Sequence, residues 1–305
     1  MDREKLKRSR TTLLSWLEDF VTCEEKLSPS SVRPKRNAKD RVKEYLTPIG
    51  KQDLLLSEVD KEFCRGFVAF LRTCKIYKGK KTMSDTTARL LMCRVAEAMN
   101  KAVVEGLIPS NPFKSLDAKE KPKMKNGRRE FLTVEELRGL IKTPCRYNIV
   151  KKAFLFSCFT GLRYSDMKSL RWSEIHTTAD GKARYIEHRQ VKTKKTVTIP
   201  LSDEALRWMP EQQEGIDQVF HELKISPGTV EDVLKEWMKD CKIDKHITYH
   251  CSRHTAATLA ISAGAELYSV SKILGHRTLV STQVYAKVNL EKKMEAVNLT
   301  KGVFD

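Results

Sequence analysis

The chain has 305 residues, 40% of them hydrophobic, which is long enough for two ordinary cores and too apolar for a disordered polymer. Its 57 Lys and Arg against 39 Asp and Glu leave a formal net charge of +18, a surplus that points to a polyanionic partner. No apolar run reaches the roughly 18–20 residues that span a bilayer. The charged start, Met1-Asp-Arg-Glu-Lys-Leu-Lys-Arg-Ser-Arg10, lacks the apolar core of a secretory signal. With no membrane element expected, nucleic acid is the better partner. Eight cysteines without a CxxC pair argue for reduced, buried thiols in a cytosolic protein rather than a disulfide or zinc framework.

In chain order, Thr11 to Leu27 has the period of an amphipathic helix, with Leu13, Leu14, Leu17, Phe20 and Val21 on one face. A second helix is predicted from Lys35 to Leu46, stopped before Pro48, and residues 51–56 connect it to a third. Ser57 or Asp60 can cap that third helix, which buries Phe63, Phe67, Phe70 and Leu71. Lys75 to Lys81 is expected to be a basic loop. Ser84 then opens a long helix to Val104 whose buried face is expected to hold Leu90, Leu91, Val95, Ala98, Met99 and Ala102. Gly106, Pro109 and Pro112 stop it. Near its start, Lys80, Lys81, Thr86 and Arg89 are plausible groove contacts, although such residues also commonly just face solvent. Residues 1–114 thus read as a four-helix unit, and 115–129, basic and aperiodic, as an interdomain linker. Up to Glu130 there are 30 Lys and Arg against 18 Asp and Glu, a net of +12, against +6 for the remainder. The smaller part being the more basic suits a DNA-gripping module.

Residues 130–305 read as a second, mixed but mostly helical domain. Thr133 and Glu136 form a capping box for a helix to Ile141. Another helix runs from Asn148 to Phe159 and ends at Gly161, with a short one from Ser165 to Leu170. Tyr185–Val191 and Thr196–Pro200 have strand composition, and Lys192-Thr-Lys-Lys195 joins them as a basic hairpin. Helices follow over Asp203–Met209, Thr229–Cys241, His250–Ser262, Leu267–Leu274 and Val280–Val288, with a final amphipathic piece at Leu290–Val297. The fold class is therefore mainly α with one small β-hairpin or sheet.

The chemistry-bearing residues lie at four points of this second domain. Leu274-Gly-His-Arg-Thr-Leu-Val-Ser-Thr-Gln-Val-Tyr285 places His276 nine residues before Tyr285, and Thr278, Ser281 and Thr282 can cap the short helix carrying the tyrosine. A phenol with a free pKa near 10 is a weak nucleophile at neutral pH unless cationic neighbours stabilise developing charge. Such neighbours occur in Thr160-Gly-Leu-Arg163, among Lys192, Lys194 and Lys195, and in His250-Cys-Ser-Arg253, whose ends share one helix face. Each has an ordinary alternative. Arg163 could be a solvated arginine after a Gly turn, His276 a helix-end cap, and Tyr285 a core tyrosine with a satisfied hydroxyl. By charge alone the three hairpin lysines are equal candidates for phosphate contacts. His254, next to Arg253, is expected to be structural and to point to a different helical face from His250. His176, His188, His221 and His246 have no motif around them.

The order Arg, Lys, His-x-x-Arg, Gly-His and Tyr at these spacings resembles the tyrosine recombinase (phage integrase) family over nearly the whole chain. Gly106-Leu-Ile-Pro-Ser-Asn-Pro112 and Glu130-Phe-Leu-Thr133 are most similar to integrases of bacterial mobile or conjugative elements. The resemblance implies a SAM-like core-binding domain followed by a catalytic domain. It implies a metal-independent, cofactor-free DNA strand transferase. Tyr285 would attack the scissile phosphate, forming a 3′-phosphotyrosyl bond and releasing a 5′-hydroxyl. Arg163, Arg253 and His276 would hold the nonbridging oxygens, His250 would assist proton transfer at the tyrosine, and Lys192 would protonate the leaving 5′ oxygen. Asp166 would orient neighbouring side chains. The resemblance further implies double-stranded DNA with paired recombination sites, a homotetramer, accessory DNA-bending or excision factors, a docking role for the piece after Leu290, and a nucleoid-associated cytoplasmic protein. It leaves no residues for the additional N-terminal arm-binding domain of many element-borne members. Two other classes compete, a type IB topoisomerase and a noncatalytic DNA-binding regulator. The core-binding domain and the Gly-His-to-Tyr spacing disfavour the topoisomerase, and the ordered six-residue set disfavours the regulator.

Overall fold

The computed structural model describes residues 10–23, 29–76, 81–124 and 129–286. The chain divides into two compact units, residues 1–127 and 128–305, each with its own core.

The first unit is built on four helices: α1 Leu13–Thr22, α2 Pro29–Leu46, α3 Lys61–Thr73 and α4 Asp85–Val104. Asp60 caps α3 by accepting a hydrogen bond from the Phe63 amide at 2.7 Å, and Ser84 caps α4 by accepting one from Thr87. Helix α2 begins six residues earlier than the sequence pattern suggests and accommodates Pro34 in its second turn. Between α3 and α4 the expected basic loop contains a small antiparallel pair, β1 Lys75–Ile76 with β2 Lys81–Thr82. Lys80 lies outside the described residues, and only the backbone of Lys81 is described. Thr86 and Arg89 are half-buried on the first turns of α4. Leu90, expected inside, is exposed, and Met92 is buried in its place. The core joins the helices through polar contacts as well as packing: the Trp16 indole donates to the Ala98 carbonyl at 2.9 Å, and Tyr45 meets the rings of Phe63, Phe67 and Phe70. Phe113 and Leu116 also belong to this core, and Asp117 and Glu120 pair with Lys61, so residues at the start of the expected linker pack on the first unit.

The second unit is assembled around α6 Asn148–Thr160, which is buried nearly all round, as a helix at the centre of a core must be. It is preceded by α5 Val134–Lys142, opened by the Thr133–Glu136 capping box, and followed by α7 Tyr164–Ser169. An antiparallel sheet then forms in the order β3 Ile175–Thr177, β4 Arg184–Arg189, β5 Thr196–Leu201. The strand β3 was not evident in the sequence because three residues carry no alternation. β4 and β5 pair from Arg184↔Leu201 to Arg189↔Thr196, which fixes the hairpin that carries Lys192. The rest is helical: α8 Asp203–Trp208, α9 Pro227–Asp240, α10 Tyr249–Ser262, α11 Leu267–Leu274 and α12 Val280–Ala286. The predicted piece at Leu290–Val297 lies outside the described residues. Among the described helices none is long and apolar enough to cross a membrane. The thiols differ from expectation: Cys64, Cys74, Cys158 and Cys251 are buried, Cys145 and Cys241 are half-buried, and Cys23 and Cys93 are exposed.

Candidate active site

Helix α10 enters the core through Tyr249. Its hydroxyl lies 2.9 Å from the Ala153 carbonyl and 2.9 Å from the Ser157 hydroxyl, both on α6. This anchor fixes the rotation of α10, and with it the direction of His250, Arg253 and His254. Arg253 is 2% exposed. It donates from Nη1 to the Gly161 carbonyl at 2.8 Å and from Nη2 to the Leu274 carbonyl. Those carbonyls belong to the two helix-ending turns that carry Arg163 and His276. Gly161 and Gly275 both take the left-handed conformation, with φ of +71° and +65°, that glycine adopts at a helix C-terminus without strain. One guanidinium thus ties three separate segments into a single site. Two of its five N–H donors are engaged in this way.

Arg163 lies 3.5 Å from the buried carboxylate of Asp166, whose other oxygen accepts the Val191 amide at 2.8 Å. Asp166 therefore connects Arg163 to the hairpin, as an orienting residue would. Behind it sits His188, 2% exposed, with Nδ1 2.9 Å from Glu174 and Nε2 3.9 Å from Asp166. Burial alone would depress His188, but the two carboxylates outweigh it and raise its pKa. Burial pushes Asp166 upward, and the facing His188, the Val191 amide and Arg163 reverse that and lower it. His188 has no motif in the sequence, and only the fold shows that it neutralises this buried pair.

The hairpin is locked to the same hub. Gln190, 1% exposed, accepts from the Thr193 hydroxyl at 2.6 Å and donates to the Leu274 carbonyl at 3.1 Å, the carbonyl that Arg253 also uses. Lys192, Lys194 and Lys195 are all exposed in the turn beyond it, with Lys194 at φ +57°. The Lys192 charge reaches His250 and contributes to lowering its pKa, after burial and the charges of Arg253, Arg163 and Arg129.

His276 follows the Gly275 turn and its Nδ1 lies 2.7 Å from the Thr282 hydroxyl. Thr282, fully buried, was expected as a helix cap; it lies inside α12 and instead fixes the His276 ring. Burial and the nearby Arg253, Arg163 and Arg129 charges push His276 down to about 4, so it is neutral at physiological pH. Burial likewise lowers Arg253 to about 10, which leaves it charged.

Tyr285 is 4% exposed on α12. Its hydroxyl lies 2.6 Å from His254 Nδ1. The expectation for His254 is thereby corrected. Residues four apart on a helix share a face, and the His250 and His254 rings meet edge to face with centroids 4.8 Å apart. Arg129, which carried no signal beyond its place in a basic run, also acts on this corner: its charge bears on Tyr285, His254 and His276. Burial raises the Tyr285 pKa, and Arg129 and Arg253 pull it partly back. Arg163, Arg253, His276 and Tyr285 therefore converge, with His250 at the rim. Among the described residues no group of three His, Cys, Asp or Glu side chains is placed to hold a metal ion.

The second unit of this mostly helical chain gathers Arg129, Arg253 and His254 around Tyr285. Comparison with known proteins gives the family. The phage integrase family profile matches residues 130–292 and the phage integrase SAM-like domain matches residues 12–122, so the chain belongs to the phage integrase family. A tyrosine recombinase of Thermosipho africanus is 27% identical over 269 residues, covering 85% of this chain and 90% of that protein. Tyrosine recombinase XerC of Bacillus pumilus is 32% identical over 203 residues, covering 61% of this chain and 65% of the relative. Among solved structures, lambda integrase residues 75–356, a dimer bound to a COC′ core site, superposes with a TM-score of 0.67 at 21% identity, covering 90% of this chain and 95% of that one. The Tn1549 transposon integrase bound to transposon right-end DNA gives 0.69 at 16% identity, covering 95% and 99%. At those identities the structural likeness speaks to the fold.

Proposed function

We propose that this tyrosine recombinase integrates and excises a mobile element by cutting and rejoining DNA through a phosphotyrosine at Tyr285. The observation that carries the reading is the Arg253 brace, which draws the Arg163 turn and the His276 turn to one point beside Tyr285. A scissile phosphate held there meets two planar guanidinium forks and a neutral imidazole able to donate a hydrogen bond. Charge developing on the nonbridging oxygens is stabilised by donors that need no reorganisation. Lys192, exposed on a hairpin locked by Gln190 and Asp166, would protonate the leaving 5′ oxygen. Lys194 and Lys195 beside it contact phosphates. The bond energy is kept in the phosphotyrosine, and a 5′-hydroxyl of the partner strand then attacks it.

The first unit, residues 1–127, grips duplex DNA through Lys80, Lys81, Thr86 and Arg89. Two sites must be cut together, so the working form is a homotetramer on DNA in the bacterial cytoplasm, assisted by DNA-bending or excision factors. A lambda integrase tetramer bound to a Holliday junction has the same fold, with a TM-score of 0.64, and supports that reading. The test is a nicked suicide duplex carrying the element's own junction, resolved on a denaturing gel. Wild type is expected to leave a slow-migrating, protease-sensitive adduct that Tyr285→Phe lacks. Binding by both proteins with an adduct from neither would refute the enzyme reading.

A further inference from the structure

The remaining unassigned group at the nucleophile is His254. Resting on the recombinase reading above, we propose that His254, rather than His250, takes the proton from Tyr285 during strand cleavage and returns it on ligation.

The geometry is direct. His254 Nδ1 stands 2.6 Å from the phenolic oxygen, within the range a general base requires. Both partners are nearly closed to solvent, at 9% and 4% exposure, so water competes poorly for that proton. The Arg129 guanidinium on the same corner favours an arrangement in which the oxygen lone pair faces the cation and the hydroxyl hydrogen faces Nδ1. Nδ1 is then the acceptor and Nε2 carries the ring proton. His250 is exposed at the rim of α10 and meets His254 ring to ring, with centroids 4.8 Å apart. His254 also lines a surface cavity with Arg129, Glu130, His246, Thr248 and Cys251.

In the protein without DNA, burial first and then the cations around it hold His254 down to about 4, so it is neutral and has its lone pair free. A bound phosphate diester brings negative charge to Arg163 and Arg253. That charge offsets the cations that depress the imidazole and makes it more basic when the proton must move. The step balances as follows. The Tyr285 Oη–P bond forms while the P–O5′ bond breaks, the phenolic proton goes to His254 Nδ1, and Lys192 supplies a proton to the departing 5′ oxygen. Ligation reverses each transfer.

The experiment uses the full chain and a duplex recovered by repeated binding selection from random DNA with Tyr285→Phe, then rebuilt as a nicked suicide substrate. Single-turnover adduct formation is measured from pH 6 to 9 for wild type, His254→Ala, His254→Gln and His250→Ala. Both His254 variants are expected to lose about 100-fold or more at pH 7, the usual share of a general base. Their deficit should narrow by about tenfold per pH unit, because hydroxide must then prepare the phenolate, whereas wild type stays nearly flat and any His250→Ala deficit does not narrow with pH. On a substrate with a bridging 5′ sulfur, whose leaving group needs no acid, Lys192→Ala should recover and the His254 variants should not.

Glutamine keeps a hydrogen-bond acceptor but cannot take a proton, so near-wild-type rates in His254→Gln would overturn the proposal. Faster cleavage in His254→Ala would overturn it too, by showing that the contact restrains the tyrosine. Unaltered melting temperature and DNA binding in His254→Gln separate chemistry from misfolding. If wild type itself forms no Tyr285-dependent adduct on any selected duplex, the recombinase reading falls, and the assignment of His254 with it.

Discussion

Replacing Gly275 by alanine should destabilise the second unit and pull apart the junction that holds Arg253, Gln190 and His276. The backbone there has φ +65°, and an added Cβ would lie 2.7 Å from Gln190 Nε2, 2.8 Å from its Oε1 and 2.8 Å from Val197 Cγ1. Neither neighbour can yield freely, since Gln190 is held at both ends by Thr193 and the Leu274 carbonyl, and Val197 is buried in β5. The left-handed conformation costs an alanine about 1–2 kcal/mol, reduced by about 0.4–1 kcal/mol because the unfolded chain is less free than with glycine. Forcing a methyl into the filled space adds about 1–3 kcal/mol. Gly181 provides the control, with φ +72° and nothing within 4 Å of its would-be Cβ. Gly181→Ala therefore carries only the conformational part. The pair is compared by urea denaturation in a Trp16→Phe background, so that fluorescence reports the second unit alone. Gly275→Ala should be the less stable by about 1–3 kcal/mol. Its total loss of roughly 1–5 kcal/mol corresponds to about 2–20 °C in Tm for a unit of this size. Equal midpoints for the two variants would refute the packing argument and the idea that this turn is a rigid brace.

Thr282→Val keeps the shape of the side chain but removes the hydroxyl at 2.7 Å from His276. Adduct formation should fall by about five- to tenfold, the equivalent of one lost hydrogen bond of roughly 1–1.4 kcal/mol that orients His276, while DNA binding, read by fluorescence anisotropy, holds. Stability of the second unit should depend on pH from both sides. His254 and His276, each pushed down to about 4, bind protons more readily when unfolded, so stability is lost as pH falls from about 6.5 toward 4. His188, raised by Asp166 and Glu174, contributes stability that is full below its unfolded value and lost as pH rises through its folded one. In His188→Gln that alkaline loss should vanish from the urea midpoints while the acid loss stays. Asp60→Ala removes the α3 cap and should cost the first unit about 1 kcal/mol, measured by the Trp16 signal. An unchanged midpoint would mean that the cap is replaced by water.

The sequence by itself determined the elements and the list of reactive residues. Helix periodicity, the caps at Asp60, Ser84 and Thr133, and the glycine stops at Gly161 and Gly275 are local signals, set by backbone sterics and by the first few amides of each helix. The spacing of Arg163, His250, Arg253, His276 and Tyr285 could be read because their turns are local as well. What tertiary structure decided is which atoms meet. Arg253 bonds to carbonyls 92 and 21 residues away, Tyr285 to a histidine 31 residues away, and Gln190 to a carbonyl 84 residues away. No pattern within one helix encodes such distances. His254 shows the difference best. Beside Arg253 in the sequence it read as a structural neighbour, yet the Tyr249 anchor sets the rotation of α10 so that His254 faces Tyr285. His188 and Thr282 were illegible for the same reason, since burial and a partner across the fold, rather than residue type, give them their roles.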